Sequence, residues 1–128
     1  MTPLEEIHVN VLIAENEFTT ADAIQRTVEN MGHRSAWVCT GSETLHSLAR
    51  NPCQLLILSA QLRDADIMEL LPDLRKRYPD IPVVALTSRN SLALEQQVRQ
   101  LGVICYLIKP LDIDELGSII SHVSHKQA

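Results

Sequence analysis

Short runs of consecutive apolar residues alternate with longer segments of helical period along this chain, and few folds satisfy that pattern. Five such runs occur, at 9–14, 35–39, 55–58, 83–86 and 103–108. They are too short for buried helices and rich in branched residues, so they read as strands. Each is followed by a segment with apolar residues at three- and four-residue steps. The first, 18–31, puts Phe18, Ala21, Ile24 and Val28 on one face, and Gly32 marks its end. The second opens at Gly41-Ser42, turns Leu45, Leu48 and Ala49 inward and stops at Asn51-Pro52. The third covers 67–77, and Pro79 and Pro82 bracket entry to the next strand. The fourth runs from a Ser91 cap to Leu101 and ends at Gly102. The last begins at Asp112 or Ile113 and is expected to end near His122.

Strands that are apolar throughout are buried on both faces, and strict alternation with helices makes them parallel. The expected class is therefore α/β, a doubly wound (βα)5 sheet of flavodoxin-like order 2-1-3-4-5. The 128 residues fit one domain. We place it at 8–124, with loose ends at 1–7 and 125–128.

Charge and cysteine content remove several function classes. Net charge is −5. The densest basic cluster, Arg75-Lys76-Arg77, is short and suits a solvated helix end, so direct nucleic acid binding is not expected. Three cysteines, Cys39, Cys53 and Cys105, form no C-x-x-C pair, which points to buried thiols in a reducing compartment, the cytoplasm. No carboxylate stands at metal spacing from His122 and His125. The longest apolar run, 103–108, is far too short to span a membrane. No metal and no cofactor are expected.

In a sheet of this kind ligands sit outside the carboxyl ends of the strands. Glu15, Asn16 and Glu17 follow the first strand, Ser59 to Asp66 the third, Thr87 and Ser88 the fourth, and Lys109-Pro110 the fifth. This ordered set, with Ala85-Leu86-Thr87 and Tyr106-Leu107-Ile108-Lys109-Pro110 as its most specific pieces, resembles the receiver domain of two-component response regulators. The resemblance covers nearly the whole chain. It implies that Glu15 and Asn16 match an acidic pair, Ser59 the phosphate-accepting aspartate, Thr87 and Lys109 the groups that bind phosphoryl oxygens, and Tyr106 a switching aromatic. It also implies a partner surface on helix four, strand five and helix five, here Leu92, Gln96, Arg99, Tyr106, Asp114 and Glu115. A homodimer through that surface is one arrangement it allows.

The departures from the family pattern gather at one place. Asn16 is an amide where an acid is usual, Ser59 a hydroxyl where the acceptor carboxylate is usual, Arg63 replaces a common proline and Ile67 a common glycine. A hydroxyl forms no acyl phosphate and adds no charge to hold Mg²⁺, which prefers carboxylate oxygens. With Glu15 alone expected opposite Lys109, the local charge falls from about −2 to about 0, and at about 4 Å each lost attraction is worth roughly 4 kcal/mol. The expectation is an atypical receiver, a pseudo-receiver, that acts on another signalling protein or an output domain without aspartyl phosphorylation and without catalysis. One alternative is a phosphorelay receiver with unusual acceptor chemistry, for which Asp64 and Asp66 are the nearest acids. A second is a cofactor-binding enzyme on the same fold. The loop at 15–20 has no glycine and carries two acids that would repel a phosphate, which argues against that.

Overall fold

The computed structural model describes residues 8–127. Five parallel strands form one sheet in the order β2-β1-β3-β4-β5: β1 (Asn10–Ala14), β2 (Arg34–Val38), β3 (Leu55–Ser59), β4 (Val83–Thr87) and β5 (Cys105–Ile108). The helices are α1 (Phe18–Asn30), α2 (Gly41–Arg50), α3 (Ile67–Arg77), α4 (Leu92–Gln100) and α5 (Ile113–Lys126). This is the expected doubly wound flavodoxin-like topology.

The two-residue period of the strands divides the core into two layers. Val11, Ile13, Leu55, Ile57, Val84 and Leu86 meet Ala21, Ile24 and Val28 of α1 and Leu116, Ile120 and Val123 of α5 on one face. Leu12, Leu56, Leu58 and Ala85 meet Leu48 of α2, Leu70, Leu71 and Leu74 of α3 and Val98 of α4 on the other. Each fully buried Leu or Ile contributes on the order of 1.5–3 kcal/mol. β3 and β4 are buried along their whole length. The edge strands are not, contrary to the expectation for all five: Arg34 and Ala36 of β2 and Ile108 of β5 are exposed, since an edge has a neighbour on one side only.

Helix ends follow local chemistry. The side chains of Thr40, Asp66, Ser91 and Asp112 accept backbone N–H bonds at the starts of α2, α3, α4 and α5. Gly32 and Gly102 adopt positive φ after α1 and α4, as a C-terminal glycine allows.

Several boundaries and faces differ from expectation. α5 continues one turn past His122 to Lys126, so residues 125 and 126 are helical rather than loose. Val123 is buried beneath that turn, and His125 and Lys126 favour the negative end of the helix dipole. The other expected loose end, 1–7, lies outside the described residues. In α2, Thr44 is buried and Ala49 exposed; the hydroxyl of Thr44 donates to the Thr40 carbonyl at 2.7 Å, which satisfies it inside. Phe18 begins α1 but is exposed, packed at a tilt on Trp37 with ring centroids 5.9 Å apart. Arg75 is not a solvated cation. Its guanidinium donates to the carbonyls of Leu101 at 2.9 Å, Gly102 at 3.2 Å, Ile81 at 2.8 Å and Pro79 at 3.3 Å.

Candidate functional site

β1, β3, β4 and β5 run parallel, so their carboxyl ends open on the same side of the sheet. An open cavity of about 500 Å³ lies there, and Asn16, Ser59, Thr87 and Lys109 line it together with Glu17, Asp66 and Arg89. Glu15 lies beneath its floor with no exposed surface. All five pocket residues picked out in the sequence therefore converge.

The centre of the site is an ion-pair cluster. Lys109 Nζ lies 2.5 Å from Glu15 Oε1 and 2.5 Å from Glu17 Oε1. The second oxygen of Glu15 accepts the backbone N–H of Asn16 at 2.8 Å and of Glu17 at 3.4 Å. Glu15 was expected to face Lys109 alone, and Glu17 is the addition. It holds the N-cap position of α1 in an extended conformation, which brings its carboxylate back over the pocket. A second acid two residues after Glu15 was the sequence signal for it. Burial opposes the charge on Lys109, but hydrogen bonds and attraction from Glu15 and Glu17 outweigh it and raise the lysine pKa. The same hydrogen bond and charge from Lys109 lower the pKa of Glu17.

Ser59 ends β3, 4% exposed, and its hydroxyl donates to the Gln61 carbonyl at 3.3 Å. Opposite it, Thr87 Oγ1 accepts the backbone N–H of Arg89 at 3.0 Å and so braces its own loop. Tyr106 stands outside the cavity lining. Half-buried, it donates to the carbonyls of Arg89 at 3.1 Å and Ser91 at 3.4 Å, tying β5 to the loop after β4. Arg63 is exposed and does not line the cavity.

The two nearby aspartates each hold a helix start. Asp64 accepts the N–H groups of Gly41 at 2.6 Å and Ser42 at 3.1 Å, and those bonds lower its pKa. This bridge from the β3 loop to α2 spans 23 residues and left no trace in the local pattern. Asp66 accepts from Met68 at 2.9 Å and Glu69 at 3.0 Å.

The surface residues picked out in the sequence occupy two helices and β5. Leu92, Gln96 and Arg99 are exposed on α4, where Arg99 pairs with Glu95 at 2.9 Å, and Asp114 and Glu115 are exposed in the first turn of α5.

Fold and site together define a flavodoxin-like signalling domain with its pocket at the carboxyl ends of the strands. The chain belongs to the response regulator receiver domain family of two-component signalling, whose family model matches residues 11–121. Among curated proteins it is 26% identical over 113 residues to the transcriptional regulatory protein ZraR of Klebsiella oxytoca, covering 88% of this chain and 26% of that protein. It is 26% identical over 121 residues to the transcriptional regulatory protein CitT of Bacillus subtilis, covering 93% and 54%. The chain thus spans about a quarter to about half the length of these relatives. Among solved structures, the receiver domain of Francisella response regulator 1452 superposes with a TM-score of 0.87 at 25% identity, covering 94% of this chain and all of that one. A CheY-like receiver domain protein from Methanospirillum hungatei JF-1 gives 0.86 at 22%, covering 94% and 96%. Among the described residues no helix is long and apolar enough to cross a membrane.

Proposed function

We propose that this chain is a pseudo-receiver: residues 8–124 form a cytoplasmic signalling module that works through protein contacts and takes no phosphoryl group on aspartate. The observation that carries this reading is Ser59 at the end of β3, inside the pocket and opposite Thr87 and Lys109. Its neutral hydroxyl replaces the carboxylate that the family's chemistry requires.

The rest of the pocket supports the same reading. Lys109 is engaged by Glu15 and Glu17, so its charge is answered from within the chain. Mg²⁺ needs near-octahedral oxygen ligands, mainly carboxylates. Of the three positions that would hold it, only Glu15 is acidic; one of its oxygens is ion-paired with Lys109 and the other accepts the backbone N–H of Asn16. The residues present do not fit the ion. Asp64 and Asp66, the candidates for unusual acceptor chemistry, are committed to the N-termini of α2 and α3.

The partner is another signalling protein or an output domain, met through Leu92, Gln96, Arg99, Tyr106, Asp114 and Glu115. Neither nucleic acid nor a membrane is contacted directly, and the module performs no catalysis. Incubation with acetyl phosphate or phosphoramidate and Mg²⁺, followed by intact-mass spectrometry, tests the proposal. The expected outcome is an unchanged mass. A stoichiometric gain of one phosphoryl group would overturn it.

A further inference from the structure

A second cavity of about 380 Å³ lies away from the Ser59 pocket, between the open edge of β5 and the flank of α5. That volume is in the range of small-molecule sites. Pro82, Ile104, Cys105, Ile119 and Val123 form its floor, and Ile104 remains 42% exposed there. The floor carries no charge. Burial raises the pKa of the Cys105 thiol, so it stays protonated at neutral pH. The charged groups stand at the rim and are sorted by sign. His122 and Lys126, one turn apart and both exposed, mark the carboxyl end of α5, and Gln127 beside them adds an amide. Among the described residues Lys126 has no ion-pair partner. Glu115, the acid of the rim, stands three turns back.

An apolar trough with a base at one end suits an amphiphile with an anionic head. We propose that this cavity binds a free medium-chain aliphatic carboxylate. Its chain lies along Ile104, Ile119 and Val123, and its head meets Lys126 and His122. From Ile119 to Lys126 the site runs about 10 Å along α5, room for an octanoate chain. Charge sets the direction of the ligand: Lys126 attracts the carboxylate at one end and Glu115 repels it from the other. The negative end of the α5 dipole also lies near the head, but it amounts to about half a charge and Lys126 outweighs it. The site uses none of the residues around Ser59, so it is independent of the pseudo-receiver reading.

Titration of the isotopically labelled whole chain with sodium octanoate, followed by amide NMR, tests this. Saturable shifts are expected, confined to the surroundings of Ile104, Cys105, Ile119, His122 and Val123. Hexanoate, two methylenes shorter, is expected to bind about fifteenfold more weakly, since each buried methylene is worth about fourfold. Octylamine is expected to bind at least about tenfold more weakly than octanoate. Lys126→Glu is expected to weaken octanoate by about tenfold and to strengthen octylamine. Ile104→Asp, which sets a charge in the trough, is expected to abolish octanoate binding. Arg34→Glu, on the opposite edge of the sheet, is expected to change nothing. Shifts that never saturate or that scatter over the whole surface overturn the proposal. So does an affinity independent of chain length, an octylamine as tight as octanoate, or an Arg34→Glu variant weakened as much as Lys126→Glu. All three positions are exposed, and unchanged circular dichroism confirms that each variant is folded.

Discussion

Lys109 holds two carboxylates at once, and one of them, Glu15, has no contact with solvent. A buried charge left without its partner costs several kcal/mol. Lys109→Ala is therefore expected to destabilise the protein by about 3 kcal/mol in urea unfolding, and adding Glu15→Gln to return most of the loss. An equal loss in single and double variants would show that Glu15 does not depend on the lysine. The pH dependence follows from the two displaced groups. The raised pKa of Lys109 gives a stabilisation that is whole below about 10.4 and is lost as pH rises through the shifted value. The lowered pKa of Glu17 gives one that is present above about 4.3 and is lost as pH falls through the shifted value. At this scale the sequence exposed Glu15, Asn16, Ser59, Thr87 and Lys109, because each ends or follows an apolar strand. Glu17 follows the same strand, but its pairing with Lys109 did not show, because it depends on how the chain turns into α1 rather than on pattern.

Between elements, the long reach of Arg75 joins α3 to the end of α4 and to the turn before β4 through four carbonyls. Hydrogen bonds from a charged donor are among the stronger ones, and removing the donor leaves carbonyls short of partners. Arg75→Ala is expected to cost about 2 kcal/mol, read as a lower urea midpoint at unchanged slope. Arg75→Lys is expected to recover less than half, since an ammonium cannot spread over four acceptors. A cost within experimental error would mean that water replaces the guanidinium. Strand and helix placement was legible because burial imposes the periods of 2 and 3.6. The clamps of Arg75 and Asp64 were not, since their partners are backbone groups remote in sequence that carry no side-chain signature.

For the molecule as a whole, a ligand that binds only the folded state raises stability by RT ln(1 + [L]/Kd), which is almost nothing for a weak site. Millimolar Mg²⁺ is expected to leave the melting temperature of the unaltered protein essentially where it was. Ser59→Asp alone adds a third carboxylate to a cluster with one lysine and is expected to lower stability by about 1–2 kcal/mol. Ser59→Asp with Asn16→Asp is expected to gain several degrees on addition of Mg²⁺, and the two changes to be coupled only when the ion is present. If Mg²⁺ raised the unaltered melting temperature to the same extent, the pocket would be a working metal site. The chain also contains its own optical gauge of these events. Trp37, the single tryptophan, rests against Phe18 of α1 and donates its indole N–H to the Glu15 carbonyl at 2.6 Å. Any rearrangement of Glu15 alters the polarity around that indole, so the colour of its fluorescence reports on the pocket without a label.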